Sequence, residues 1–218
     1  MSRVTVQPAV GALDAVVRVP GSKSIANRAI ACAVLADGAS EIEGVPDGDD
    51  TRRLIEACVS MGASIRVEGT SVVVEHGIDR ASPESVHVDA GLGGTTSRFL
   101  TALAALRTGS VTVSGDDALR RRPMADLHDA LRAIGAGVEW HGRDGGLPVT
   151  ISGGPVPGGS VEVAGGISSQ FASAMLLAGP VMRDGLRLAV SYPRVSAGYL
   201  EMSVEVARAF GASVEAFG

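Results

Sequence analysis

The sequence predicts an α/β (α+β) architecture of three repeated β-α-β-α-β-β units, with buried parallel helices inside and sheets outside. Three observations predict it. First, VRVPGSKSIANRAIACAVLADG has two echoes, VHVDAGLGGTTSRFLTALAAL from Val86 and VEVAGGISSQFASAMLLAGP from Val161. Each is an alternating valine run, then glycine with hydroxyl residues, then a long Ala/Leu-rich stretch. Second, EACVSMGASIRVEG, DALRAIGAGVEWHG and EVARAFGASVEAFG end alike, with Gly62, Gly135 and Gly211 spaced 73 and 76 residues apart. Those glycines stand where a left-handed C-terminal helix cap belongs. Third, the Ala/Leu-rich stretches are apolar all round, so they need a shared interior.

In chain order, each unit opens with strand, tight turn and helix, so the V-x-V run at 17–19 is expected as the first strand. A short β-type segment follows the helix: ASEIEGV at 39–45, GSVTVSG at 109–115 and DGLRLAVSYP at 184–193. A second, amphipathic helix comes next. In the middle unit its apolar stripe is Met124, Leu127, Leu131 and Ile134. After the capping glycine the first two units continue into hairpins, SIRVEGTSVVVEH at 64–76 and GVEWHGRDGGLPVTISG at 137–153. The third reaches ASVEAFG and stops. One arm of a hairpin leaves an open strand edge, so the expectation is a chain cut out of a longer protein.

Composition narrows the partners. A chain of 218 residues, 45% hydrophobic, can bury a substantial core. Its net charge of −5 and 3% aromatics argue against nucleic acid, which wants a basic face and stacking rings. Cys32 and Cys58, 26 apart in apolar surroundings, read as small buried hydrophobes and fit a reducing, cytoplasmic setting. No window reaches the roughly 20 apolar residues of a membrane helix, and no signal segment is visible, so neither export nor an anchor is expected. His76, His87, His128 and His141 lack metal-ligand spacing, and no metal is expected.

An anion site is the remaining possibility, built as a local concentration of cations. Each all-apolar helix starts after a glycine turn, where unpaired backbone N–H groups and the positive dipole end converge. Around those starts stand Ser22, Lys23, Ser24 and Arg28; Thr95, Thr96, Ser97 and Arg98; and Ser168, Ser169 and Gln170. Arg122, directly before Pro123, adds a cation near a second-helix start. Ser24 and Arg28 are four apart and can face one ligand. Ser and Thr at helix starts are also ordinary caps. What favours a site is recurrence with Lys or Arg in two of three turns. Nucleotide loops are excluded: GSKS lacks the Walker glycine before lysine, and GLGGTTS misses the last glycine of G-x-G-x-x-G.

PGSKSIANRA, GGTTSRFL, RRRPMADL, GGISSQFASAMLLAGP and SAGYLE, in this order, resemble the amino-terminal half of the 5-enolpyruvylshikimate-3-phosphate synthase family. The resemblance implies one domain of the enolpyruvyl transferase fold. It implies transfer of the enolpyruvyl group of phosphoenolpyruvate to the 5-hydroxyl of shikimate 3-phosphate, without metal or organic cofactor. It assigns residues 1–15 to a leading strand of an absent carboxyl-terminal domain, the missing partner. Residues 16–218 become the substrate-binding domain, with repeats at about 16–80, 81–155 and 156–218. Lys23 would contact phosphoenolpyruvate and take part in catalysis, with Gly94 and Arg122 beside the same ligand. Ser24, Arg28, Ser168, Ser169, Ser196 and Tyr199 would hold shikimate 3-phosphate, and Gln170 would lie between the two. One departure stands out: Leu92-Gly93-Gly94-Thr95 occupies the family's usual Asn-Ala-Gly-Thr, so an amide is missing at 92. A UDP-N-acetylglucosamine enolpyruvyl transferase is the alternative, but its reactive cysteine is absent from SGDDALRRRP. A non-catalytic anion-binding module is the third reading.

Overall fold

A computed structural model describes residues 3–193 and 195–216. Its elements in chain order are α1 (Lys23–Ala33), β1 (Ser40–Ile42), α2 (Asp49–Ser60), β2 (Ser64–Glu68) and β3 (Ser71–His76). The middle stretch holds β4 (Val86–Asp89), α3 (Gly94–Ala104), β5 (Val111–Ser114), the short α4 (Asp117–Arg120), α5 (Ala125–Ala133), β6 (Gly137–Trp140) and β7 (Val149–Ser152). The last comprises β8 (Gly159–Val163), α6 (Ser169–Ala178), a 3-10 turn at Gly179–Val181, β9 (Leu186–Val190) and α7 (Ala197–Ala209).

The middle stretch realises the whole predicted unit. Its sheet runs β4-β5-β7-β6, with β4 parallel to β5 and the other pairs antiparallel. The first sheet, β1-β3-β2, reproduces the last three strands of that order, and β8 and β9 reproduce the parallel first pair. Two expectations are corrected here. Residues 17–19 form no strand, and neither do the described residues of 1–15; Val4, Val6, Val10, Val16, Val17 and Val19 are all exposed. A strand exists only where a neighbouring edge takes up its hydrogen bonds, and this segment takes up none of the outer edge of β1. Residues 212–216 likewise carry no strand.

Six helices make the interior. Residues 26–33 of α1 are buried without a break, as are 96–104 of α3, and α6 is nearly so, which fits their all-apolar sequences. These three touch one another pairwise. The second helices close a ring around them: α2 packs on α3, α5 on α6, and α7 on α1. Met124, Leu127, Leu131 and Ile134 face inward as their spacing requires. Gly62, Gly135 and Gly211 have φ of 99°, 98° and 85° just past α2, α5 and α7, a conformation that an added Cβ would strain. Both cysteines are buried in this core, and burial pushes each thiol up to about 12. No helix among the described residues is long and apolar enough to cross a membrane.

Candidate anion-binding site

Ring packing brings the starts of α1, α2, α3, α6 and α7 to one end, where side chains tie them together. Ser22 caps α1 by accepting a hydrogen bond from the Ile25 amide at 3.4 Å. Lys23, the first residue of α1, donates from Nζ to Asp50 Oδ2 at 2.8 Å. Thr96 on α3 donates to the Asp50 carbonyl at 2.9 Å. Lys23, Asp50 and Thr96 thus chain the first turns of α1, α2 and α3. Half of the Lys23 side chain is exposed, so its ion pair contributes little stability and can exchange for a ligand anion.

A second cluster spans α3 and α6. Gly94 opens α3 with Arg122 standing over it: a Cβ built on Gly94 would lie 2.7 Å from Arg122 Nη1 and 3.4 Å from Arg98 Nη1. Arg98, one helical turn on, is buried and donates from Nη1 to Gln170 Oε1 on α6. Its guanidinium also covers the Phe171 ring, 4.9 Å from the centroid. Burial, with the Arg122 charge adding to it, brings the Arg98 pKa down to about 10. Ser168 caps α6, its hydroxyl accepting from the Gln170 amide at 3.2 Å, and Ser169 is the first residue of that helix, half-buried beside it.

Arg28 departs from the expectation that it faces a ligand together with Ser24. Its side chain is 1% exposed. Nε donates to Ser203 Oγ at 2.7 Å, Nη1 to the Ser24 carbonyl at 2.9 Å, and Nη2 to Ser173 Oγ and the Tyr199 carbonyl at 3.2 and 3.3 Å. Phe99 and Tyr199 rings flank the guanidinium, each centroid 5.6 Å away. A desolvated guanidinium needs its donors met, and oxygens of α1, α6 and α7 meet them here. Arg28 is therefore a tie between helices just beneath the site. Above it, Ser196 precedes α7 in a left-handed conformation, φ 56° and ψ 46°, rare for a residue with a side chain, and Tyr199 is 44% exposed. Leu92, where the resemblance expects an amide, is 56% exposed.

The sequence reading did not single out Asp50, and it named Arg98 among the cations at a helix start without giving it a partner or a ligand. The signal for Arg98 was an arginine inside an apolar helix with no acid three or four positions away. Elsewhere, a cleft of about 540 Å³ beside β4 and β5 is lined by His87, Asp89, Asp116, Asp117 and Arg120. Its acidic lining suits no anion. Among the described residues no group of three or more His, Cys, Asp and Glu is arranged to hold a metal ion.

Comparison with known proteins identifies the family. The family model for EPSP synthase (3-phosphoshikimate 1-carboxyvinyltransferase) matches residues 8–218. The 3-phosphoshikimate 1-carboxyvinyltransferase of Tolumonas auensis is 35% identical over 218 residues, covering 99% of this chain and 51% of that protein. Its counterpart from Bordetella pertussis is 40% identical over 207 residues, covering 93% and 47%. The solved EPSP synthase of Acinetobacter baumannii superimposes with a TM-score of 0.76 at 28% identity, over 92% of this chain and 44% of that one. The enolpyruvyl transferase NikO of Streptomyces tendae, at 20% identity and TM-score 0.62, shares the fold. The chain spans about half the length of the curated relatives it matches. With a family match over residues 8–218, nearly its whole length, the chain belongs to the EPSP synthase family.

Proposed function

We propose that this chain is the substrate-binding half of a transferase that moves the enolpyruvyl group of phosphoenolpyruvate to the 5-hydroxyl of shikimate 3-phosphate, releasing phosphate. One observation carries the reading: in a chain of net charge −5, Arg98 and Arg122 meet over the start of α3 beside Gln170, with Lys23 at the neighbouring helix start. Two polyanionic substrates repel one another in water. Cations and N–H dipoles already held in place offset that repulsion and stabilise the charge of a tetrahedral intermediate. Lys23, Gly94 and Arg122 serve phosphoenolpyruvate in this reading. Ser24, Ser168, Ser169, Ser196 and Tyr199 serve shikimate 3-phosphate, and Gln170 lies between the ligands. Arg28 supports the second pocket from below by holding the Ser24 and Tyr199 backbone.

The cationic cluster supplies fixed charge. In this reading the groups that transfer protons come from the other half of full-length relatives, and the segment at 1–15 belongs with that half. The test is calorimetric titration of the 218-residue chain with shikimate 3-phosphate, beside an assay of phosphate release with both substrates. Binding without turnover is expected. Turnover by this chain alone overturns the two-half account, and failure of shikimate 3-phosphate to bind overturns the assignment of its pocket.

A further inference from the structure

Two of the places where the chain enters a new unit are built alike. Between the first and second units, the Ile78 amide donates to the carbonyl of Val34, the C-cap of α1, at 3.0 Å. Between the second and third, the Val156 amide donates to the carbonyl of Ala105, the C-cap of α3, also at 3.0 Å. Both anchor side chains, Ile78 and Val156, are buried. The turn after the next unit's first helix then closes over the connector: the Thr108 amide donates to the Arg80 carbonyl at 2.9 Å, and the Asp184 amide to that of Pro157 at 2.8 Å. Met61 and Ile134, the hydrophobic C-caps of α2 and α5, are buried as well.

The corresponding place ahead of the first unit is an open groove of about 750 Å³ at the carboxyl ends of the helices. Its walls are the same parts of the fold: the end of α6 with Leu177 and Val181, the end of α7 with Phe210, and the turn from Leu35 to Ser40 that leads into β1. Phe210, the C-cap of α7 and counterpart of Met61 and Ile134, is only partly buried. The chain leading into the first unit, meanwhile, holds Val10, Leu13 and Val16 exposed. An apolar groove without a cover thus stands beside an apolar segment without a seat.

From this correspondence we infer that residues 9–16 form a strap that closes into the groove, with Val10 as its anchor. Spacing selects Val10. The two observed anchors precede the alternating valine run of the unit they enter by eight residues, Ile78 to Val86, and by five, Val156 to Val161. The same window before Val17 covers residues 9–12, Ala-Val-Gly-Ala, in which Val10 alone is a large apolar residue. Closing the strap takes the Val10 side chain and the face of Phe210 out of water together. It also brings the Val10 amide toward Gly179, the C-cap of α6 and counterpart of Val34 and Ala105. The groove lies at the opposite end of the helices from the anion site, so the strap stands whichever ligand that site takes. It moves one boundary of the proposed reading: of residues 1–15, only the start, with Val4, Thr5 and Val6, is left to the other half.

Nuclear Overhauser spectroscopy on the methyl-labelled 218-residue chain tests it. Contacts are expected from the Val10 methyls to the Phe210 ring and the Leu177 methyls, with the amides of residues 9–16 relaxing like those of the helices. Val10→Asp should abolish these contacts, because a carboxylate does not enter an apolar groove unpaired, and should lower the melting midpoint by about 3 °C or more. Three results overturn the strap: no contacts in the wild type, Val10 contacts to some other part of the molecule, or a Val10→Asp midpoint equal to that of the wild type. A mixture of differently labelled chains identifies which molecule supplies the segment. Contacts seen only between copies assign the groove to a neighbour's residues 9–16 and overturn closure within one chain. None of these readings involves a substrate, so failure of the substrate assignment would leave them unaltered.

Discussion

Replacing Gly94 by alanine separates the chemistry of the site from the stability of the fold. The new methyl would lie 2.7 Å from Arg122 Nη1, against about 3.5 Å for an unstrained contact between heavy atoms, so the guanidinium must retreat by roughly 0.8 Å. Its 3.4 Å contact with Arg98 Nη1 is nearly ordinary, so the buried arginine stays. Arg122 is exposed and its tip moves at little cost. What is lost is one charge-assisted bond to the ligand, about 1.5–3 kcal/mol, or roughly 10- to 100-fold in affinity. The fold gains instead, because alanine in a helix is favoured over glycine by up to about 1 kcal/mol, which lifts the midpoint by roughly 2–4 °C in a chain of this size. Circular dichroism melts and calorimetric titration with phosphoenolpyruvate measure both. Unchanged affinity refutes the placement of Arg122 over the ligand. A midpoint lowered by several degrees means that the methyl meets rigid backbone, contrary to the contacts described.

Four further outcomes follow from other parts of the molecule. Arg28→Lys loses most of the four bonds that link α1, α6 and α7, so urea unfolding should show a loss of about 2–4 kcal/mol; a loss below 1 kcal/mol contradicts the tie. Asp50→Asn frees Lys23 while costing under about 1 kcal/mol, and phosphoenolpyruvate should then bind more tightly at low salt; weaker binding would make Asp50 part of the pocket. Ser196→Gly relieves a left-handed residue and leaves the unfolding free energy nearly unchanged, whereas Ser196→Val lowers it by more than about 1 kcal/mol; equal stabilities in urea unfolding would deny the strain. Buried His128 accepts the Trp140 indole N–H at Nδ1 and is held to about 4 by burial first and by Arg132 second. The unfolded chain takes up that proton near the ordinary value of 6.5, so stability falls by about 3 kcal/mol as pH drops from 6.5 to 4 and levels off below. His128→Phe should remove that slope from urea midpoints read by Trp140 fluorescence, and an unaltered slope assigns it to other groups.

Much of the fold was legible because it is written in local chemistry. Capping glycines at 62, 135 and 211, apolar stretches that need a common interior, and the stripe from Met124 to Ile134 all record conditions that a residue meets with its own neighbours. The strand expected at 17–19 failed for the complementary reason. Alternating valines make a strand possible, but only a pairing edge makes it real, and the pattern does not say which edge. The candidate site was legible at its helix starts and illegible in its charge pairing. Lys23 meets Asp50 from 27 residues away, Arg98 meets Gln170 from 72, and Arg28 turns inward to Ser203, 175 residues on. Pairings of that range depend on how helices pack. The i,i+4 relation of Ser24 and Arg28 held, but through the Ser24 carbonyl, which directs the arginine into the core.

The most direct measurement is a ¹⁵N–¹H correlation spectrum of the labelled 218-residue chain during titration with shikimate 3-phosphate. The account predicts that the amides of Ser24, Ser169, Gln170 and Tyr199, in the first turns of α1, α6 and α7, shift together and saturate with one affinity. Shifts confined to the acidic cleft around Asp89 and Asp116, or a spectrum unchanged by the ligand, would contradict it.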